Sequence, residues 1–188
     1  MKKLLALLLL PAMTGCLTST APSIALWPID YIGAGKTVSA KPRYDVARLQ
    51  QVVVRAPFNE QGLAVLRANG SMAFDPYNEY AAQPAQLMKG VALDALTDCG
   101  LFKQVVGAGS SARASVTVEV LVTRLALDCQ TAETRRAIAC LTVRLVDARE
   151  ILAIVKGEGA VDAADGNFGA AFSRAVTSAF VSALGQLK

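Results

Sequence analysis

Residues Ser115 to Leu127 read SVTVEVLVTRLAL, and this stretch decides what kind of fold the chain can make. Val116, Val118, Val120 and Val122 fall on one side of an alternation, with Thr117, Glu119 and Thr123 on the other. Period two in β-branched residues is the pattern of a strand with one face turned to a core. At Thr123-Arg124 the phase slips, and the apolar series resumes at Leu125, Leu127 and Cys129. A single inserted residue does this, so the spacing predicts a β-bulge.

Working outward, Ala137 to Val146 alternates again, with Ala139, Leu141, Val143 and Leu145 inward and Thr142 and Arg144 outward. Asp147 to Glu150 turns the chain, and Ile151 to Ala160 returns as another strand. From Asn167 to Leu187 the period changes: Phe168, Phe172, Val176, Phe180 and Leu184 recur every four residues, the stripe of a helix that covers a core. Upstream, Leu49 to Arg55 is a β-branched strand ending before Pro57. Leu63 to Arg67 and Ser71 to Phe74 flank Asn69-Gly70, which predicts a type I′ hairpin turn. Gln83 to Asp98 is helical, with Leu87, Val91 and Leu96 beside Met88, Ala92, Ala95 and Cys99, and Gly100 as its C′ stop. Leu101 to Val106 is a short strand. Strands, helix, strands, helix is an α+β order, and the expected architecture is a mostly antiparallel sheet with two amphipathic helices packed on one face.

Composition limits the chemistry. The 188 residues are 53% hydrophobic and 18% charged, which suits a packed domain and not a disordered chain. There is no histidine, which removes Ser-His-Asp and Cys-His mechanisms, a histidine base and every histidine-containing zinc site. The 19 Lys and Arg against 15 Asp and Glu fall to 17 against 15 once Lys2 and Lys3 leave with a signal peptide. No basic run beyond Arg135-Arg136 follows residue 3, so no nucleic-acid partner is expected.

The N-terminus reads MKKLLALLLLPAMTGC. Lys2 and Lys3 form a positive n-region and Leu4 to Leu10 an apolar h-region, too short to span a bilayer that needs about 20 residues. Met13-Thr14-Gly15-Cys16 resembles a bacterial lipobox, in which the thiol becomes a thioether to diacylglycerol and the new N-terminus is acylated. Residues 1–15 are then the signal peptide, Cys16 is the lipid attachment site, and three acyl chains exceed what stable anchoring requires. Leu17 stands where an inner-membrane retention signal would place Asp, so the expected location is the outer membrane, facing the periplasm. Residues 16–43 read as a lipidated tether punctuated by Pro22, Pro28 and Pro42, in which Ile24 to Trp27 and Tyr31-Ile32 are apolar enough to add an edge strand. Residues 44–188 form the domain.

The remaining candidates carry little chemistry. Gly35-Lys36-Thr37 imitates the tail of a phosphate loop, but the first glycine of that motif is replaced by Asp30, which would repel phosphate, and Pro42 interrupts the helix that should follow. With Cys16 used, Cys99, Cys129 and Cys140 in an oxidising compartment suggest one disulfide. Cys129 and Cys140 flank one hairpin loop, but lie on opposite phases; Cys99–Cys129, both inward, is the other option. No C-x2-C spacing offers a metal site, and Asp162 with Asp165 read as complements to the N-terminus of the last helix. Phe74, Tyr77 and Tyr80 crowd a segment between hairpin and helix. Phe74 is expected in the core, with Pro76 and Asn78 turning the chain so that Tyr77 and Tyr80 lie at the surface, as interface anchors or as a locally packed loop.

The stretch Arg43 to Leu187 resembles the ABC-type transport auxiliary lipoproteins, the group that includes PqiC-like proteins. The resemblance rests on the order of lipobox Cys16, the strand Val52-Val53-Val54-Arg55, a hairpin, the aromatic segment Phe74 to Ala81, Gly100-Leu101-Phe102 and Leu145-Val146-Asp147-Ala148 before a C-terminal helix. Tyr80 departs from the Trp common at its position. The resemblance implies a non-enzymatic protein without cofactor or metal that partners an ABC transporter and its mammalian-cell-entry (MCE) domain protein in moving phospholipid between membranes. Tyr77 and Tyr80 are then candidates for docking on that partner or for packing between copies of the chain as a homo-oligomer. The rival expectation is an outer-membrane assembly or structural lipoprotein.

Overall fold

The structure, a computed structural model, describes residues 23–33, 39, 41–131, 134–148 and 150–187. Its elements are β1 (Ala25–Trp27), β2 (Tyr44–Val54), β3 (Gly62–Arg67), β4 (Met72–Tyr80), α1 (Pro84–Asp98), β5 (Phe102–Gly107), β6 (Val116–Cys129), β7 (Arg136–Val146), β8 (Ile151–Asp162) and α2 (Phe168–Leu184), closed by a 3-10 turn over Gly185–Leu187. The α+β order read from the sequence is present. All eight strands join one sheet.

The sheet is built around β6, the SVTVEV stretch. β7 pairs antiparallel with β6 from Thr117↔Val146 to Asp128↔Arg136 and occupies one edge along nearly its whole length. The other edge is shared. β2 runs beside Ala47↔Val116 to Val54↔Val122, and β3 resumes the same track at Val65↔Leu127, both parallel to β6. β5 flanks β2 in parallel, β4 flanks β3 antiparallel, and β1 adds to β4 in parallel. The sheet therefore forks beyond β6 into a β2–β5 wing and a β3–β4–β1 wing, while β7 and β8 extend its opposite side. This corrects the expectation of a mostly antiparallel sheet: among the described residues four of the seven ladders are parallel, although the two longest are antiparallel. The reason is connectivity. A hairpin reverses the chain, but the α1 crossover between β4 and β5 returns it to the end of the sheet where β2 began, so β5 runs with β2, and residues 108–115 then carry the chain back past β2 so that β6 starts in the same direction.

The predicted bulge is where the phase slip placed it, between Val122 and Arg124 against β7. The hairpin differs in detail. Gly70 has φ of 78° but Asn69 stays at negative φ, so a three-residue loop, Ala68 to Gly70, closed by Arg67 N donating to Ser71 O, replaces the two-residue type I′ turn.

Both helices lie on the face that carries Val118, Val120, Leu141 and Val143, and the phenylalanine stripe of α2 is core as expected. Each such side chain removed from water contributes roughly 1.5–3 kcal/mol. α2 approaches β8 unusually closely because Gly157 and Gly159 face it. A Cβ at Gly157 would stand 1.8 Å from the Ala179 carbonyl oxygen, and one at Gly159 would stand 1.9 Å from that of Ala175. Asn167 caps α2 by accepting from Ala170 N, while Asp162 and Asp165 accept from Ala164 N and Asn167 N in the preceding turns. The aspartates thus shape the approach, and the cap itself is Asn167.

Part of the segment read as tether belongs to the domain. After β1, residues 28–33 cross α2 on its far side: Ile29 is buried, and Asp30 N and Ile32 N donate to Ser173 Oγ and Thr177 Oγ1, each at 3.0 Å. Among the described residues Ser173 and Thr177 are the two buried polar residues, and the strap explains them. We expect Gly157→Ala to cost at least the ~1–3 kcal/mol of an overpacked interior, since the atom its Cβ would meet, the Ala179 carbonyl oxygen, is rigid helix backbone. Gly109→Ala, with nothing within 4 Å, is the control, and chemical denaturation of both variants makes the comparison.

Candidate functional site

With both helices on one face, the site must be sought on the face they leave open. The register lays out its rows. Val53, Leu121, Thr142 and Lys156 lie side by side across β2, β6, β7 and β8; the next row is Gln51, Glu119, Arg144 and Ile154. Arg144 Nη1 donates to Glu119 Oε2 at 3.1 Å within that row. A shallow groove of about 640 Å³ crosses this area, bordered by Arg55, Leu121, Thr123, Cys140, Lys156 and Glu158, and a smaller one of about 180 Å³ adjoins it at Val53 and Glu119. Val53 and Ile154 stand exposed at its margin. Apolar area, a cross-strand ion pair and hydroxyls from Thr123 and Thr142 are the means by which such a face binds. Sequence reading missed Val53 and Ile154 as surface residues. The signal was there, in the apolar residues on both phases of Val52-Val53-Val54 and of Ile151 to Val155.

The second uncovered area is the β1–β4 wing. Two steps along β3 (Gly62 to Ala64) correspond to five along β4 (Phe74 to Glu79), so β4 carries a wide bulge at Asp75-Pro76-Tyr77. Proline suits a bulge because no ladder bond needs its missing N–H. Asp75 Oδ1 accepts from Tyr77 N at 2.8 Å and from Asn78 Nδ2 at 3.0 Å, and Asn78 Oδ1 accepts from Trp27 Nε1 at 2.8 Å. This chain of bonds ties β1 to the bulge and holds Tyr77 outward.

The bulge also reverses two expectations. Tyr77 is at the surface, 52% exposed, but Tyr80 is 1% exposed and meets Phe172 edge-on with ring centroids 5.5 Å apart. Tyr80 is therefore core, not a partner contact. Phe74, expected in the core, is 41% exposed and lies over Gly62. The extra residues shift the alternation, so the inward position falls to Tyr80. Its hydroxyl is buried without a hydrogen-bond partner among the described residues, and burial pushes its pKa far up.

The expected disulfide is overturned. Cys140 lies opposite Arg124, five residues before Cys129 on β6, which is ~17 Å of strand where a bridge needs Cα atoms within ~7 Å. Cys99 follows α1 beside the start of β2, at the Val116 end of β6, whereas Cys129 ends that strand; Cys99–Cys129 is excluded more strongly. All three are free thiols, each raised in pKa chiefly by burial; Glu158 raises Cys140 further. Among the described residues no group of His, Cys, Asp and Glu could hold a metal ion, and no helix is long and apolar enough to cross a membrane. Cys16 and Gly35-Lys36-Thr37 lie outside the described residues.

The sequence matches no protein-family model and no curated protein. Its fold, a forked mixed sheet with both helices on one face, is similar to that of a Xanthomonas campestris protein of the DUF330 family. The TM-score is 0.64 at 15% identity, covering 87% of this chain and 91% of that one. A second solved structure, of an uncharacterized protein, gives a TM-score of 0.56 at 11% identity over 89% and 94% of the two chains. PelC from Paraburkholderia phytofirmans, solved as a dodecamer, is looser: TM-score 0.48 and 13% identity over 78% and 89%. The first two likenesses show the fold.

Two outcomes follow from the site. Thiol titration of the unfolded protein without reductant should find Cys99, Cys129 and Cys140 all reactive, with Cys99 slowest in the native state; a count of one would restore a disulfide. Tyr80→Phe should leave stability unchanged or raise it by about 1 kcal/mol, because it deletes a hydroxyl that burial leaves unpaired, whereas Tyr80→Ala should cost ~3–5 kcal/mol. Thermal melts of the two variants separate these.

Proposed function

We propose that this chain is a non-enzymatic lipoprotein component of an ABC/MCE-type intermembrane phospholipid transport system, anchored in the outer membrane through Cys16 and facing the periplasm, where it docks on the MCE-domain partner. The observation that carries the reading is the open sheet face: among the described residues eight strands are covered by helices on one side only, and the other presents a groove lined by Leu121, with Val53 in the smaller hollow beside it and Ile154 exposed in the adjoining row. A sheet that wide exposing apolar residues on its free face is a binding surface by the ordinary rule for monomers. The lipobox, the ordered motifs from Val52 to Ala148 and the likeness in fold to a DUF330 protein support assigning that surface to an auxiliary lipoprotein. The absence of histidine from the whole chain supports a role in docking over one in catalysis.

Two measurements test it. Cys16→Ser should leave an unlipidated precursor that no longer partitions with membranes, and mass spectrometry that finds Cys16 unmodified in the wild type ends the anchor and the localisation together. Capture of the lipidated protein from its native membranes should retain an MCE-domain subunit. Val53→Glu with Ile154→Glu should reduce that capture about tenfold or more, as loss of central apolar contacts does, with stability within ~0.5 kcal/mol because both side chains are exposed. Retention of a secretin or porin instead, unaffected by the double variant, supports an outer-membrane assembly lipoprotein.

A further inference from the structure

The groove leaves one exposed apolar area unexplained. Extending the β1–β4 register by one residue beyond Ala25↔Asn78 sets Ile24 beside Tyr77, and Leu26 faces Glu79 on the same side. Ile24 is 51% exposed, Leu26 56% and Tyr77 52%, with Phe74 on the same open face two ladder positions away. Trp27 and Tyr80, their immediate neighbours, point the opposite way into the core, so the patch is the outer side of an edge hairpin whose inner side is fixed. The Asp75–Asn78–Trp27 bonds hold it rigid. A preformed patch loses little entropy when it is covered.

Its place in the chain says what covers it. Ile24 lies eight Cα steps beyond Cys16, and even fully extended that span reaches no more than ~29 Å. A domain of this length is ~40 Å across. If Cys16 carries acyl chains, the far surfaces cannot come to the bilayer, and the edge nearest the anchor is the one kept within reach of it. That edge carries Ile24, Leu26 and the aromatic ring of Tyr77, an apolar body with a polar tip, the side chain that settles at the boundary between headgroups and acyl chains. We propose that the Ile24–Leu26–Tyr77 patch rests in the lipid surface beside the anchor, so that β1 and β4 orient the domain on the membrane; the twist of the sheet, roughly 20–25° per strand, turns the β7–β8 side of the open face out of the plane of the patch. The inference rests on the reading of Cys16 as lipidated, and on nothing about the transport partner. Asp75 and Glu79 border the patch, so a zwitterionic surface suits it better than an anionic one.

The experiment reads position on the membrane. Full-length lipidated protein carrying Tyr77→Trp is reconstituted into phosphatidylcholine vesicles with brominated acyl chains, beside Val53→Trp and the wild type, whose single Trp27 supplies the background. The Tyr77→Trp emission should be quenched by about half or more, since a ring held ~5–10 Å into the headgroup and acyl boundary touches brominated chains; Val53→Trp should not be quenched. Adding Leu26→Glu to Tyr77→Trp should abolish the quenching while a melt shows the domain still folded. Equal, low quenching at both positions in protein shown by mass spectrometry to be lipidated overturns the proposal. Emission at position 77 that shifts to the blue with protein concentration in the absence of vesicles also overturns it, because a second copy then covers the patch. Protein that floats free of vesicles with Cys16 unmodified fails at the anchor instead, and unmodified Cys16 removes the proposal with it.

Discussion

A β-strand has two edges, and the architecture follows from how the edges of β6 are shared. Its fourteen residues are long enough to give one whole edge to β7 and to divide the other between β2 and β3. Because β2 and β3 occupy one track, the segment between them, residues 55–61, must leave the sheet and rejoin it without reversing direction. Everything outside that track inherits the split: β5 finds an edge only beside β2, β4 only beside β3, and β1 only beside β4. A shorter β6 would force β3 to begin a new sheet.

The helices respond to the same frame. α1 covers the β2–β5 wing and α2 the β7–β8 side, where Gly157 and Gly159 let helix backbone settle against strand backbone. On its opposite side α2 carries two hydroxyls that the strap of residues 28–33 takes out of water and satisfies with backbone donors, Asp30 N to Ser173 and Ile32 N to Thr177. Helix, strap and β8 together saturate one face of the sheet. Among the described residues the other face receives no element, and that asymmetry makes it the candidate surface.

On the open face the two areas differ in kind. Across β2, β6, β7 and β8 the groove mixes Leu121 and Val53 with the Arg144–Glu119 pair, a balance of apolar area and directed polarity suited to a protein partner. The β1–β4 area is apolar with one tyrosine, and its bulge turns on three residues in a row, an aspartate that bonds forward, a proline that needs no partner and the displayed tyrosine. The two areas share a sheet face but not a chemistry. One is suited to a shaped protein and the other to a surface without shape.

Much of this was legible in the residues. Alternation in SVTVEV gave the strand its inward valines and the slip at Thr123-Arg124 located its bulge. Four-residue spacing of phenylalanines found α2, Gly100 the end of α1, and the α+β order the layering. These are local properties: a side chain's face is set by the dihedrals of its own few neighbours. What the sequence did not determine depends on residues far apart in the chain. Parallel pairing of β2 with β6 needs the paths of α1 and of residues 108–115. The separation of Cys129 from Cys140 needs the register of β7, and the exchange of Phe74 for Tyr80 needs the count of residues on the partner strand β3. A bulge on β4 shows only against the strand it skips. For that reason the sequence by itself determined which segments are strands and helices and what each would bury, and only the tertiary structure decided which face stayed open and which aromatic stands on it.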